Sequence, residues 1–209
     1  MNKWTFPHST CELVSNQSIS QPYSFSVNVV IAVLMLFESL KAKTLTTKLT
    51  IWTFILFESF HAFSHAKHIN TSIQLTTIHL LGYLLALGIF CCFVKYTNRV
   101  LLPFWFVLVI LLDIYVFLKV GKIYQVVTGF SILVSIVIIY LPHLTDFYEY
   151  LVTLVLGVLV IIWMLYRESK NCEKWLIKNP KIPYHLQVEV LGLILFYLLA
   201  ELLIKLEKK

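Results

Sequence analysis

The sequence predicts an all-α fold: a polytopic membrane protein built as a seven-transmembrane-helix bundle. Three observations lead there. Hydrophobic residues make up 59% of the chain and charged residues only 13%, with a mean hydropathy of +0.82, well beyond the apolar share of a soluble domain. The apolar residues gather into segments of roughly 16–22 residues, close to what a helix needs to cross about 30 Å of hydrocarbon. The 209 residues suit one compact bundle with short connections and no second domain.

In chain order, residues 1–23 form a polar N-terminal segment with no apolar core of the signal-peptide kind. The first membrane helix is therefore expected to act as a signal anchor. The apolar segments then run over 24–40, 49–64, 73–94, 100–118, 124–141, 148–166 and 185–204, giving a membrane domain over 24–206 and a short basic tail at 207–209. Pro142, Asp146 and Glu149 mark the turn between the fifth and sixth segments. The one long connection is expected over 167–184, a basic stretch carrying Pro180 and Pro183. The formal charge of +6 does not indicate a nucleic-acid partner, because the basic residues flank apolar segments as membrane-bordering Lys and Arg do.

An odd number of crossings sets the two termini on opposite sides. The N-terminal side then collects the end of the second segment, the start of the third, the end of the fourth and the start of the seventh. Lys41, Lys43, Lys48, Lys95, Arg99, Lys205, Lys208 and Lys209 fall on the other side and favour it as cytoplasmic, against five basic residues in the 167–184 stretch. The triplets starting at Asn16 and Asn70 are glycosylation sequons on the N-terminal side. Cys11 and Cys172 also lie there and can form a disulfide if that side is oxidising, whereas Cys91 and Cys92 read as packing thiols. The N-terminus is accordingly expected in the lumen or outside the cell.

The stretch 57–69, FESFHAFSHAKHI, closes the second segment. Glu58, His61, His65 and His68 share one helical arc roughly 80° wide at about 100° per residue. Ionisable groups in an apolar helix must face a protein interior, a cavity or a metal. His79, Asp113, His185 and Glu189 fall at the same depth on the same side. His61/His65 and His185/Glu189 each have the i, i+4 spacing that points two donors at one spot. Three such donors and a water would make a hydrolytic zinc site, with Ser64 or His79 serving the oxyanion or the proton. A hydrogen-bonded polar core without metal, or a proton path, accounts for the same stripe. Glu38 and Glu201 read as interfacial, and Asp113 as either a residue that orients a ligand or a cap on a polar pocket.

These residues resemble the CREST superfamily, which comprises alkaline ceramidases, adiponectin-receptor-like proteins and GPI-anchor-remodelling proteins. Ser64-His-Ala-Lys-His68 looks like the motif ending its second helix, and His185-Leu-Gln-Val-Glu189 like the one opening its seventh, with Glu for the second His. His79 stands where the ceramidases have Asp. Cys11-Glu12, Ser26-Val-Asn28 and Cys172 are similar to further family positions. The resemblance implies an intramembrane hydrolase of a ceramide-like lipid amide or ester, in an endomembrane (ER or Golgi) or the plasma membrane. Zinc would sit on His68, His185 and Glu189, supported by Ser64 and His79, with His61 and His65 as an alternative ligand pair. The competing expectation is a non-enzymatic, receptor-like or structural bundle with a polar His core.

Overall fold

The computed structural model describes residues 11–15, 17–67, 72–97, 107, 108, 111, 145–179 and 181–208. Five long helices are described: α1 (Pro22–Lys41), α2 (Leu45–Lys67), α3 (Ser72–Thr97), α4 (Tyr148–Lys178), preceded by a 3-10 turn at Thr145–Phe147, and α5 (Tyr184–Leu206). α1, the stretch Thr145–Glu168 and α5 are each long and apolar enough to cross a membrane. The protein is thus helical and membrane-embedded, and its outward faces expose Val33, Phe37, Leu56, Leu84, Trp163 and Ile194. The fourth and fifth apolar segments lie almost entirely outside the described residues.

α1 starts at Pro22, whose fixed φ and missing N–H suit a first helical position. Its orphaned amides are met from far upstream. Glu12 accepts hydrogen bonds from the Tyr23 N–H (2.8 Å) and from the Ser24 N–H (3.0 Å) and hydroxyl (2.5 Å). A carboxylate at this helix end also complements the macrodipole. Segment 11–21 is therefore a strap folded back over the bundle rather than a free tail.

α4 departs from the expected loop over 167–184 by continuing as helix through RESKNCEKWLIK to Lys178. The stretch has no Gly or Pro before Pro180, and Glu and Lys are good helix formers. Asn179 then leaves helical geometry, and its N–H reaches back to the Trp175 carbonyl.

α5 packs against α1, α2, α3 and α4 and forms the spine of the described bundle. Ile31, Met35, Ile51, Phe54, Phe90, Phe93, Leu202 and Leu203 fill the interior, with Phe54 edge-on to Phe196 at 5.1 Å. Gly88 lets α3 approach α2 closely, since a Cβ there would lie 2.6 Å from the Thr50 hydroxyl oxygen. That hydroxyl is already committed to the Thr46 carbonyl at 2.8 Å.

Two polar clamps fix the helix order end to end. At the strap end, the amides of Ser20 and Gln21 donate to the carbonyls of Ala66 and His65, so α1 and α2 run antiparallel. At the other end, Lys41 bridges Glu38 (2.6 Å) and Glu201 (3.1 Å), linking α1 to α5. Glu38 and Glu201, expected as separate interfacial groups, thus share one cation. The Lys205 ammonium meets Tyr150 of α4 through its hydroxyl and lies 4.4 Å from the ring centroid. Glu207 caps α2 by accepting from the Lys43 N–H, the Thr44 N–H and the Thr44 hydroxyl.

Partial burial opposes ionisation of Glu207, but the bonds from Thr44 and Lys43 outweigh it and hold the carboxyl below its ordinary range. A lowered carboxyl stabilises the fold above the ordinary Glu value of about 4.3 and loses that contribution as pH falls through its lowered value. Glu207→Gln is therefore expected to melt earlier than the native protein at pH 7, with the gap closing on acidification. Melting curves across that pH range test this.

Candidate metal centre

Glu58, His61 and His65 lie on the buried face of α2, with residue exposures of 1%, 5% and 0%. Opposite them the first turns of α5 bring in His185 and Glu189, which are also buried. The i, i+4 spacing does the local work in both helices, since it stacks two side chains on one face. α2 ends and α5 begins at the strap end of the bundle, so the two pairs meet at one depth.

Three donor atoms converge. His61 Nε2, His65 Nε2 and a Glu189 carboxylate oxygen all lie within 4.8 Å of one another. The two imidazole nitrogens are 2.9 Å apart, and Glu189 Oε1 is 3.7 Å from each. Bond lengths of about 2.0–2.2 Å around a tetrahedral zinc put neighbouring ligand atoms ~3.3 Å apart. The observed separations bracket that value.

Each donor is oriented from behind. His65 Nδ1 lies 2.7 Å from the amide oxygen of Gln21, which only accepts, so Nδ1 carries the proton and donates. The Nε2 lone pair of neutral His65 then points into the cluster. His61 turns Nδ1 toward Glu58 at 3.7 Å. Glu189 is held at 2.9 Å by His185 Nε2, and His185 Nδ1 lies 3.0 Å from both carboxylate oxygens of Glu168. Each ring nitrogen of His185 faces a carboxylate. At the centre, His65 Nε2 accepts a hydrogen bond from His61 Nε2 at 2.9 Å, beside Glu189 Oε1. Such a convergence, out of reach of bulk water, could hold a metal ion.

Not every sequence-predicted residue joins the cluster. His61, His65, Glu58, His185 and Glu189 are brought together. Ser64 is buried on α2, and its hydroxyl donates to the Phe60 carbonyl of its own helix at 2.9 Å. His79 lies on α3, with its side chain outside the described residues, as are all of His68 and Asp113. The ligand set expected from the motif, His68 with His185 and Glu189, lies partly outside the described residues because His68 does; among the described residues, the alternative pair His61 and His65 joins Glu189 in a group that could hold a metal ion. Cys11 and Cys172 are joined by a disulfide with their Cα atoms 5.4 Å apart.

Gln21 and Glu168 were missed in the sequence. One helix-period signal pointed to Glu168: continuing α4 without a break sets Met164 and Glu168 on the same buried face. No comparable signal marks Gln21. A cavity of about 220 Å³ opens at the far end of the bundle, lined by Thr44, Thr47, Cys92, Lys95 and Glu207, and includes none of the site residues.

No family profile, curated protein or solved structure matches the chain.

Proposed function

We propose that the protein is a multi-pass membrane hydrolase that uses zinc to cleave a lipid amide or ester of ceramide-like type. The observation that carries this reading is the convergence of His61, His65 and Glu189 among lipid-facing helices, with His65 held by Gln21 and Glu189 by His185. Three protein ligands leave a fourth position for water, which is the pattern of a catalytic rather than a structural zinc site. When bound, zinc supplies an ionisable water near neutral pH and a Lewis acid for a carbonyl oxygen.

The protein's own part is to hold and steer. Gln21 and Glu58 turn the two imidazoles of α2 inward, and His185 fixes the Glu189 oxygen. His185 and Glu189, hydrogen-bonded to each other, are the groups placed to hold or pass a proton. The resemblance to the CREST superfamily assigns the oxyanion and proton roles to Ser64 and His79. Ser64 serves a substrate only by releasing its bond to Phe60.

Seven crossings, with the N-terminus luminal or extracellular in an endomembrane or the plasma membrane, accord with the helix directions. α3 runs toward the Lys41–Glu201 end, because Cys92 lies beside Thr47 and Thr50 near the start of α2. α4 starts at that same end, where Tyr150 meets Lys205. α3 thus ends where α4 begins, which is consistent with the two further apolar segments, 100–118 and 124–141, that the sequence places between them. The Cys11–Cys172 disulfide at the strap end supports an oxidising compartment on that side.

The test is hydrolysis of a fluorescent-acyl ceramide analogue, and of the matching ester, by purified protein in bicelles. Release of the acyl chain that is abolished by chelator and restored by added zinc is the expected result. Zinc-loaded protein that cleaves neither compound would return the bundle to a receptor-like or structural role.

A further inference from the structure

Glu168 is buried, with 3% of its surface exposed, although Arg167 and Lys170 beside it on α4 are exposed. Among the described residues it makes no ion pair with Lys or Arg. Its carboxylate has two partners instead. One is His185 Nδ1, 3.0 Å from both oxygens. The other is the main-chain N–H of Cys11, which donates to Oε1 at 2.5 Å. The same cysteine is fixed covalently to Cys172, one helical turn beyond Glu168 on α4.

Those contacts form a chain of positions. The disulfide pins Cys11 to α4, and the pinned amide holds one oxygen of Glu168. Glu168 holds His185 Nδ1, and His185 Nε2 holds Glu189 Oε1 at 2.9 Å. Without the carboxylate, His185 loses the acceptor on its outer side and is free to turn about its side-chain torsions. Glu189 then loses the bond that aims its oxygen at His61 and His65.

We propose that Glu168 is a positioning residue for the His185–Glu189 pair, and that it is itself held by the Cys11 amide which the Cys11–Cys172 disulfide anchors. The proposal rests on the metal-centre reading and adds what sets that centre's affinity: a covalent strap outside it. The partner it concerns is a divalent transition metal of the zinc or cobalt kind, which accepts imidazole and carboxylate together.

The experiment titrates full-length, detergent-solubilised protein with Co2+ and with Zn2+, reading the visible Co2+ ligand-field absorption and the dissociation constant. Outer partners of metal ligands typically contribute 10–100-fold in affinity. Glu168→Ala is expected to weaken binding by about that factor and to alter the Co2+ spectrum. Glu168→Gln, whose amide oxygen still accepts from both the imidazole and the Cys11 N–H, is expected to recover most of the loss. The double replacement Cys11→Ser/Cys172→Ser is expected to weaken binding in the native background and to add nothing in the Glu168→Ala background, because both changes act through one carboxylate. Native affinity and spectrum in Glu168→Ala would overturn the proposal, as would a disulfide effect of equal size in both backgrounds. A native protein that binds neither ion would remove the metal centre itself, and this proposal with it. Helical circular dichroism of each variant separates these results from unfolding.

Discussion

His65→Ala protein is expected to bind zinc at least about a hundredfold more weakly than the native protein, and to show no thermal stabilisation when zinc is added. Whole zinc sites are worth about 10–16 kcal/mol, so one ligand among three or four accounts for ~3 kcal/mol or more. His65 is fully buried and fixed by Gln21, with Nε2 facing His61 at 2.9 Å. Native protein at a hundredfold excess of zinc over its dissociation constant gains about 2.7 kcal/mol of stability, and the variant should lose that response. The metal-free comparison makes the result specific. Without metal, His65 still hydrogen-bonds Gln21 and His61, so the variant apoprotein is expected to melt below the native one, and the zinc response is read against each protein's own metal-free melting point. Differential scanning with chelator and then with zinc reads both quantities. Equal zinc stabilisation of variant and native protein would place the metal elsewhere or nowhere.

Removing the disulfide, by Cys11→Ser with Cys172→Ser, is expected to lower stability by about 2–5 kcal/mol. The bond closes a loop spanning 161 positions, and long loops gain most in the chain-entropy account. Most of the chain lies inside that loop, α1 to α3 and the first part of α4 included. The strap has its own anchors, because Glu12 holds the start of α1 and the amides of Ser20 and Gln21 bond the end of α2. The loss should therefore appear first at residues 11–15 and the upper part of α4, with the α1–α2 pair retained. Hydrogen exchange resolved by peptide, alongside a melting curve, measures this. Uniform loss of protection throughout the bundle would contradict it, as would no loss at all.

The apolar segments were readable because a helix in lipid needs a long run of apolar residues whatever surrounds it. The α2 stripe was readable for a related reason: Glu58, His61 and His65 repeat at helical spacing, and ionisable groups in apolar surroundings must share an interior face. Which histidines take part was harder to see. His61, His65 and His68 occupy one arc; Glu189 enters from α5 at the depth of the first two, and His68 lies outside the described residues. Motif likeness favoured the third.

Glu168 was hidden by composition. The RESKNCEK run looks like a solvated connection, and nothing local shows that its one buried carboxylate faces the strap. Glu38 and Lys41 have a legible i, i+3 spacing, yet Glu201, which completes the bridge, lies 160 positions away. The Glu207 cap on α2 is equally remote from its target, 163 positions along the chain. Partners brought together by tertiary folding leave no periodic trace in either strand of sequence.

The central claim is that His61, His65 and Glu189 form a metal centre, and elemental analysis of native protein purified without added metal tests it most directly. About one zinc per chain, retained through gel filtration and lost on dialysis against chelator, is the result this account predicts for a three-ligand site. A folded, monodisperse preparation containing no zinc, and taking up none when it is supplied, would contradict it.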